Sequence, residues 1–233
     1  YEPGESTFIN HTTAPLDVRE KLALDDDTIR SALACMQDEL HHVSEMVIIS
    51  TCNRVEIYAV SSRPQFEDLE VFLSKVQSIS VDSFRSYVYC YSGEAVVKHL
   101  FRVSTGLDSL VIGEPQILGQ VTRAFEAASS MDASGAVLSR LFRSAIHAGK
   151  RARTETGISR NPSSVSSLAA SLIEKEVKDL PGSQVVVIGA GEMAELAVEA
   201  LRKRGVKRIV IVNRTLERAR SLAQRWQAQV ASL

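Results

Sequence analysis

The sequence of 233 residues lacks the features that mark several large classes of protein. Its aliphatic runs, such as residues 46–49 and 185–188, fall far short of the roughly 20 residues that a membrane-spanning helix needs. The N-terminus has no basic and apolar stretch typical of a secretory signal. The three cysteines, Cys35, Cys52 and Cys90, are odd in number and widely spaced, which argues against a disulfide framework and a CxxC metal site. We therefore expect a soluble cytoplasmic protein in which any important cysteine acts alone.

The composition is that of an ordinary globular protein, with 45% apolar and 24% charged residues. The length allows two modest domains, each with its own core. A net charge of −1 argues against a surface built throughout for nucleic acid, yet residues 140–160 carry six cations and a single acid, Glu155. Such a stretch is either a solvated helix face, which is the more common case, or a patch that meets phosphates. The cations are Arg140, Arg143, Lys150, Arg151, Arg153 and Arg160.

Short segments rich in β-branched and aromatic residues predict strands in the first part of the chain. Helical patterns follow Pro15, the acidic residues 25–27 and Phe66, so the predicted order is β, α, β, β, α, β. This order is the split βαβ arrangement of a ferredoxin-like α/β sandwich. From residue 92 to about residue 180, helical periodicity replaces the strand signals and predicts a helical linker section. The predicted strands are residues 7–10, 46–50, 55–60 and 87–91.

The end of the chain predicts the opening of a Rossmann-type doubly wound domain. An aliphatic strand at residues 185–188 leads into a glycine turn, a helix to about residue 204 and a second strand at residues 207–212. Glycines at such a turn let the backbone approach a pyrophosphate at the N-terminus of the helix. A complete domain of this class has about five or six strands, so we expect a truncated opening. The turn residues, which fit GxGxxA and predict cofactor binding, are Gly189, Ala190, Gly191, Glu192, Met193 and Ala194.

The end of the second strand predicts which nicotinamide cofactor binds. Enzymes that use NAD commonly carry an acid at this point, whereas this chain has Asn213, Arg214 and Thr215. A guanidinium there suits a 2′-phosphate, so we expect NADPH rather than NADH. The alternative is that Arg214 merely begins a solvated helix.

Cys52 lies in a tight connection between two predicted strands, where protein scaffolds commonly hold reactive groups. The neighbouring Arg54 would favour the reactive thiolate or bind a substrate carboxylate. Cys35 lies in an apolar helical pattern and Cys90 in an alternating strand, so both are expected to fill the core. Local chemistry alone leaves a catalytic and a structural Cys52 equally open.

The segment around Cys52 resembles the active-site signature of the glutamyl-tRNA reductases. Further segments are similar to the same family in the same order, so the resemblance covers nearly the whole chain. Residues 5–8 depart from the family's apolar first strand, and we expect this strand to be altered, to carry a tag or to be frayed. The segments are STCNRVEIY at residues 50–58, GLDSLVIGEPQILGQV at residues 106–121, GKRARTET at residues 149–156 and NHTTAP at residues 10–15.

The resemblance implies an enzyme that reduces glutamyl-tRNA to glutamate-1-semialdehyde with NADPH, the first step of the five-carbon route to tetrapyrroles. Cys52 would form a glutamyl thioester, which is a better hydride acceptor than the oxygen ester. His99 would assist the acyl transfer, although a histidine in a helical pattern is more often a core residue. The residues that match the family's substrate site are Thr51, Asn53, Arg54, Ser109, Glu114, Pro115, Gln116 and Gln120.

The resemblance also implies domains and partners. Residues 1–160 would form a catalytic domain that recognises glutamyl-tRNA, and residues 161–233 the start of an NADPH-binding domain. The basic stretch would then face the tRNA, or its helices would link the domains. Relatives continue through a long helical dimerisation domain, so the full-length parent is expected to be a homodimer. It is also expected to hand its product to glutamate-1-semialdehyde aminomutase.

Two alternatives remain open. The chain could be a truncated fragment that binds glutamyl-tRNA and transfers the acyl group without reduction, because its cofactor domain is incomplete. The end of the chain also resembles shikimate-dehydrogenase-like NADP domains, which would make the protein an oxidoreductase acting on a free small molecule. The second alternative leaves residues 50–56 and 106–120 unexplained.

Overall fold

The structure, a computed structural model, describes residues 5–10, 12–63, 66–158 and 165–232. The chain divides into two compact units, Tyr1–Ser159 and Arg160–Leu233. His11 of the NHTTAP segment, Arg160 of the basic stretch and the side chain of Glu192 lie outside the described residues. The expected domain boundary after residue 160 also falls outside them, so it stays a prediction.

An antiparallel sheet organises the first unit. In chain order the unit contains β1 (Glu5–Asn10), α1 (Leu16–Leu22), α2 (Asp26–Glu39), β2 (Val43–Ser50), β3 (Arg54–Ser61), α3 (Phe66–Gln77), β4 (Tyr89–Ser92), α4 (Glu94–Thr105), α5 (Pro115–Ser130) and α6 (Ala136–Glu155). The strand order is β2-β3-β1-β4, and each neighbouring pair is antiparallel. Helices connect β1 to β2 and β3 to β4, so two split βαβ units interlock. The ferredoxin-like prediction is confirmed.

The first and fourth strands differ from their predicted form, and β2 begins at Val43, three residues before its predicted start. The first strand is not frayed in its described part, because Glu5–Asn10 pairs with β3 on one side and with β4 on the other. A central strand is held by ladder hydrogen bonds on both edges, which do not depend on how apolar its side chains are. The fourth strand begins at Tyr89 rather than at residue 87, since Arg85–Tyr87 forms a 3-10 turn closed by the Tyr87 N–H and the Phe84 carbonyl.

Residues with known helix-terminal preferences mark one end each of α2, α4 and α5. Asp25 caps α2 by accepting a hydrogen bond from the Thr28 N–H at 2.8 Å. Pro115 begins α5, where its missing N–H is not needed. Gly106 ends α4 in the left-handed conformation, with φ of 79°. Side chains of α4, α5 and α6 share one hydrophobic core with the sheet, so these helices belong to the first unit and do not form a separate linker.

A parallel sheet organises the second unit. The unit contains α7 (Val165–Glu176), β5 (Gln184–Ile188), α8 (Glu192–Lys203), β6 (Arg208–Asn213), α9 (Leu216–Trp226) and β7 (Gln229–Ser232). The strand order β5-β6-β7, with a helix after each of the first two strands, confirms the predicted doubly wound opening. β7 was not predicted, because a short strand with few β-branched residues is recognised only by its pairing with β6. Across the described ranges, no helix is both long and apolar enough to cross a bilayer.

Candidate active site

The connection between β2 and β3 presents Cys52, which is exposed. The Thr51 N–H donates to the Arg54 carbonyl at 2.8 Å, and the Thr51 hydroxyl oxygen accepts from the N–H groups of Asn53 and Arg54, each at 3.1 Å. A threonine side chain therefore takes the place of a backbone acceptor and holds the turn closed. The expected tight connection around Cys52 is confirmed, whereas the catalytic role of Cys52 stays a prediction.

An arginine that sequence reasoning did not identify reaches this loop. Arg19 lies on α1, and its Nη1 donates to the Cys52 carbonyl at 2.6 Å and to Asn53 Oδ1 at 3.2 Å. Its Nε donates to the Ala14 carbonyl at 3.2 Å. Arg19 and Cys52 are 33 residues apart in the sequence, so no local pattern could have predicted their contact.

A buried ionised cluster lies on one face of β3. Arg54, Glu56 and Tyr58 alternate along the strand and therefore point to the same side of the sheet. Arg54 Nη1 donates to Glu56 Oε1 at 2.5 Å, and the Tyr58 hydroxyl donates to Glu56 Oε2 at 2.7 Å. His99 Nε2, on α4, lies 2.9 Å from Glu56 Oε1. These three partners replace the water that the fully buried Glu56 has lost.

Burial and neighbouring charges together set the ionisation of this cluster. Burial disfavours the charged form of Glu56, but the Arg54 charge and the hydrogen bonds from His99 and Tyr58 outweigh it and lower the pKa of Glu56 to about 2. Burial also opposes the charge of Arg54, yet Glu56 holds the pKa of Arg54 above its ordinary value. Burial and the Glu56 charge raise the pKa of Tyr58. At neutral pH the cluster is thus an internal ion pair beside an uncharged tyrosine.

The other side of the Arg54 guanidinium binds the loop that follows α4. Arg54 Nη2 donates to the Asp108 carbonyl at 2.5 Å and lies 3.3 Å from Asp108 Oδ2. The next hydroxyl, that of Ser109, is buried and has no hydrogen-bond partner among the residues that the structure describes. The structure therefore brings together Arg54 and the loop that carries Ser109. Because the Arg54 guanidinium already binds Glu56 and Asp108, it can take a substrate carboxylate only by exchanging one of these partners.

Arg153, on α6, holds the segment before α5. Gly113 has φ of 82°, and a Cβ on it would overlap the Ile158 carbonyl oxygen, so the close approach requires glycine. Arg153 Nη2 donates to the Glu114 carbonyl at 2.9 Å and lies 3.4 Å from the Pro115 carbonyl. Burial lowers the pKa of Arg153. The Arg153 guanidinium thus binds backbone carbonyls of the protein itself. It therefore differs from the exposed cations of the basic stretch, whose side chains face solvent.

The remaining predicted residues of the first unit lie on helices. Gln116 and Gln120 are one turn apart on α5 and half-buried, so they share a helix face. Arg140, Arg143 and Lys150 are exposed and fall on one face of α6; we call them the α6 stripe. Arg151 is paired with Glu155 one turn further, at 2.8 Å.

The other two cysteines are both half-buried, and Cys35 packs against the first hydrophobic core as expected. Cys90 lies on the edge strand β4. The part of the chain that the structure describes holds no cluster of histidine, cysteine and acidic side chains suited to a metal ion.

In the second unit, the glycine turn leaves open space at the start of α8. Gly189 has φ of 112°, and its N–H donates to the Val212 carbonyl at 2.7 Å. Gly191 precedes α8 without a side-chain cap, and a Cβ on either glycine would meet no described atom within 4 Å. The exposed Arg214 follows β6, which is parallel to β5, so the turn and Arg214 lie at the same edge of the sheet. The geometry fits an anionic group bound at the helix N-terminus.

The other predicted cofactor residues pack inside the second unit or bond locally. Ala190 and Ala194 lie against the second hydrophobic core, which is the close helix-to-strand packing that the third position of the motif requires. The Met193 carbonyl accepts a hydrogen bond from the Ser166 hydroxyl at 3.0 Å. Asn213 Nδ2 donates to the Thr215 carbonyl at 2.8 Å, which stabilises the turn that carries Arg214.

Comparison with known proteins assigns most of the chain to one family. The family described as "Glutamyl-tRNAGlu reductase, N-terminal domain" matches residues 8–156. The chain belongs to the glutamyl-tRNA reductase family. Glutamyl-tRNA reductases of Thermosynechococcus vestitus and Desulforudis audaxviator are 44% and 42% identical to it over 220 and 219 residues. The aligned part is 94% of this chain in both cases, and 51% and 49% of those proteins.

Structural similarity agrees with this assignment. A glutamyl-tRNA reductase from Methanopyrus kandleri matches 100% of this chain and 54% of its own length, with a TM-score of 0.66 and 34% identity. The chain thus spans about half the length of the relatives it matches. A second family, "Shikimate / quinate 5-dehydrogenase", matches residues 171–233, in agreement with a Rossmann-type opening. The predicted resemblance to glutamyl-tRNA reductases is confirmed.

Sequence reasoning did not identify several residues that hold the cysteine loop and the neighbouring loops in place. Arg19, Asp108 and Arg153 reach their partners across long stretches of sequence. Glu56 and Tyr58 carried a local signal, because polar residues at every second position of an otherwise aliphatic strand indicate a buried polar face. That alternation could have predicted the cluster on β3, although not its contact with α4.

Proposed function

We propose that this chain uses Cys52 to take the glutamyl group from glutamyl-tRNA, as the first half of the NADPH-dependent reduction to glutamate-1-semialdehyde. The observation that carries the proposal is an exposed cysteine in a hairpin connection that is closed because the Thr51 hydroxyl oxygen accepts hydrogen bonds from the N–H groups of Asn53 and Arg54. Such a loop lets the thiol approach a large substrate while the reacting sulfur keeps a defined position.

The chemistry is an acyl transfer followed by a reduction. The Cys52 thiolate attacks the ester carbonyl, a carbon–sulfur bond forms, and the carbon–oxygen bond to the terminal ribose breaks. The proton of the thiol ends on the ribose oxygen that leaves. The carboxylate of Glu56 next to His99 Nε2 favours a proton on that nitrogen, so Nδ1 is the His99 atom that would accept and return a proton. In this scheme His99 has the assisting role that the family resemblance implies, and the described contacts of its ring are with Glu56, Phe8 and two tyrosines, Tyr89 and Tyr91.

The residues that match the family's substrate site supply suitable chemistry for glutamate. Glu114 would pair with the substrate ammonium, and Arg54 would bind a carboxylate after exchanging Asp108. The buried Ser109 hydroxyl supports this role, because among the described groups none satisfies it. We assign the remaining contacts to Thr51, Asn53, Pro115, Gln116 and Gln120.

The second unit would hold the dinucleotide. The open turn at Gly189 and Gly191 and the uncapped start of α8 suit a pyrophosphate, and the exposed Arg214 suits a 2′-phosphate. NADPH, when bound, supplies the hydride that converts the thioester into the aldehyde. The chain's own contribution is to bind the phosphates through the backbone N–H groups of the turn and to select the phosphorylated ribose through Arg214.

The α6 stripe supports contact with the tRNA, because Arg140, Arg143 and Lys150 present three exposed cations on one helix face. We extend the proposal to the setting that the family suggests. The protein acts in the cytoplasm, the full-length parent is a homodimer, and glutamate-1-semialdehyde aminomutase receives its product.

A second candidate function is acyl transfer without reduction. It is supported by the exposed Cys52, because acyl transfer needs the thiol and does not need the cofactor turn. Such a protein would load Cys52 from glutamyl-tRNA and would release free glutamate by hydrolysis. The shikimate-dehydrogenase-like function is not favoured, because the family match at residues 8–156 lies outside the segment that suggests it.

The test is to incubate the chain with glutamyl-tRNA carrying labelled glutamate, with and without NADPH. Intact mass measurement reports a glutamyl adduct on the protein, and a separate assay reports the semialdehyde. Cys52→Ser should abolish the adduct, whereas Cys35→Ser, at a half-buried position against the core, should leave it unchanged.

The outcomes separate the candidates. An adduct that disappears in Cys52→Ser, together with semialdehyde when NADPH is present, supports the full reaction. An adduct without semialdehyde supports acyl transfer alone. A folded protein that forms no adduct contradicts both, and reduction of a free small molecule by Cys52→Ser would favour the dehydrogenase alternative.

A further inference from the structure

Arg19 binds the backbone that follows the cysteine, and this contact has no part in the reaction proposed above. Its Nη1 reaches both the Cys52 carbonyl, at 2.6 Å, and Asn53 Oδ1, at 3.2 Å. Its Nε is tied to the Ala14 carbonyl, at the start of the helix that carries Arg19. One side chain therefore connects the loop to α1 through three oxygen atoms.

The peptide unit between Cys52 and Asn53 is bound on both sides. Its carbonyl accepts from Arg19, and its N–H donates to the Thr51 hydroxyl oxygen at 3.1 Å. A peptide unit is planar, so contacts at both of these groups fix its orientation. The orientation determines ψ of Cys52, and with it the direction in which the Cys52 side chain leaves the backbone.

Thr51 and Arg19 do not hold the Cys52–Asn53 peptide unit in the same way. The Thr51 hydroxyl belongs to the loop itself and moves with it, whereas Arg19 lies on a different element and is anchored at Ala14. Arg19 alone of these two ties the loop to the rest of the first unit. A guanidinium is suited to the task, because its planar fork presents several donors at fixed angles, which the single flexible ammonium of lysine does not.

We propose that Arg19 is a positioning residue that orients the Cys52 nucleophile for attack on the glutamyl ester. The inference rests on the proposed acyl transfer. Arg19 acts mainly through the Cys52 backbone, so we expect a large effect on the rate of the transfer and, because its Nη1 also binds the Asn53 side chain, a small effect on substrate affinity. Misplacement of a reacting atom by about 1 Å lowers a rate by up to about a hundredfold, even when binding is intact.

The test compares Arg19→Lys and Arg19→Ala with Arg30→Lys, a matched change at an exposed arginine on α2. Single-turnover formation of the Cys52 adduct is measured over a range of glutamyl-tRNA concentrations. For Arg19→Lys we expect a maximal rate at least about tenfold below that of the unaltered chain, with the half-saturating concentration within about twofold. Ethylguanidinium added to Arg19→Ala should restore part of the rate, and Arg30→Lys should behave as the unaltered chain.

Two results would overturn the proposal. An Arg19→Lys variant with an unchanged maximal rate shows that the fork is not required. A change confined to the half-saturating concentration shows that Arg19 acts on substrate binding, directly or through Asn53, and does not position the cysteine.

A second measurement keeps the inference separate from the proposed function. Hydrogen exchange of the amides of residues 51–54 is followed in the chain without substrate. Faster exchange in Arg19→Lys than in Arg30→Lys supports positioning even if the unaltered chain forms no adduct, in which case only the proposed function fails. Equal exchange in all three proteins contradicts the positioning role.

Discussion

The two strands that flank the cysteine loop are covered on both faces over most of their length, whereas the first strand of the second unit is not. Residues 46–49 of β2 are all buried, as are residues 54–59 of β3. In β5 the alternate residues Val186 and Ile188 keep 56% and 74% of their accessible surface. β2 and β5 both pair along one edge with a neighbouring strand, so the difference in exposure comes from what covers their faces and not from an absence of strand pairing.

This difference in burial indicates what holds the cysteine loop and the glycine turn in place. The cysteine loop connects two strands whose burial holds both of its ends, and a buried ion pair lies at the start of β3. The glycine turn follows a strand that is packed on one face, and aliphatic surface left exposed in this way favours burial against a further layer. We therefore expect the cysteine site to depend on packing far more than the glycine turn does.

The largest expected effect comes from removing the same side chain in each sheet. Ile48→Ala should lower the free energy of unfolding of the first unit by about 4 kcal/mol, because it leaves a cavity in a packed core. Ile188→Ala should change the stability of the second unit by less than about 0.5 kcal/mol, because the side chain is mostly exposed. Similar losses of unfolding free energy in the two variants would contradict the expected difference in packing between β2 and β5.

The chain offers separate optical signals for the two units in this experiment. Every tyrosine lies within residues 1–91, and the single tryptophan is Trp226. Urea unfolding can therefore be followed by the tyrosine near-ultraviolet signal for the first unit and by tryptophan fluorescence for the second.

The next effect concerns the buried ion pair between Arg54 and Glu56 in the first unit. Glu56→Gln removes the closer of the two acidic partners of the buried Arg54 and leaves only the half-buried Asp108, so it should lower the free energy of unfolding by about 3 kcal/mol at neutral pH. Glu126→Gln, at an exposed position on α5, should have almost no effect. An equal loss in both variants would show that the cluster does not stabilise the unit.

Glu56 is also expected to make the free energy of unfolding of the first unit fall in acid. The pKa of Glu56 is lowered from 4.5 to about 2, so its ionised form is favoured by folding. Its contribution is complete above about pH 4.5 and is lost as the pH falls toward about 2, which amounts to about 3 kcal/mol. Denaturation at several pH values should show this loss in the unaltered chain and a flatter dependence in Glu56→Gln.

A smaller effect tests the close packing of α4 against α6. A Cβ on Gly149 would lie 2.5 Å from the Ser104 carbonyl oxygen, which is backbone and cannot move aside. Gly149→Ala should lower the free energy of unfolding by about 2 kcal/mol, although alanine is the better helix former. Gly119→Ala is the control, because the nearest atom to its Cβ is a side-chain nitrogen of Arg123 at 3.6 Å, and it should stabilise by up to about 1 kcal/mol. Destabilisation by both changes would contradict the packing explanation.

The comparison also explains how much could be predicted from sequence. Strands with β-branched residues, the Cys52 connection and the glycine turn are local patterns, and each was placed within a few residues. The Glu56 cluster, the Arg19 contact and β7 depend on partners elsewhere in the chain. Glu56 and His99 are 43 residues apart, and Arg54 and Asp108 are 54 residues apart. Hydrophobic periodicity predicts which face of an element is buried, but it does not predict which polar groups meet there.

The smallest effect on stability is expected from replacing the α6 stripe. This change tests which of the two units contacts the tRNA. Replacing Arg140, Arg143 and Lys150 by alanine should leave folding unchanged, because all three are exposed. It should weaken tRNA binding, and the slope of log affinity against log salt concentration should become shallower by about 2, since three phosphate contacts would be lost. The control replaces Lys203 and Lys207, two exposed cations of the second unit, and should leave the slope unchanged. A shallower slope in the control alone would move the tRNA contact to the second unit, whereas no change in either protein would leave the α6 stripe as a solvated helix face.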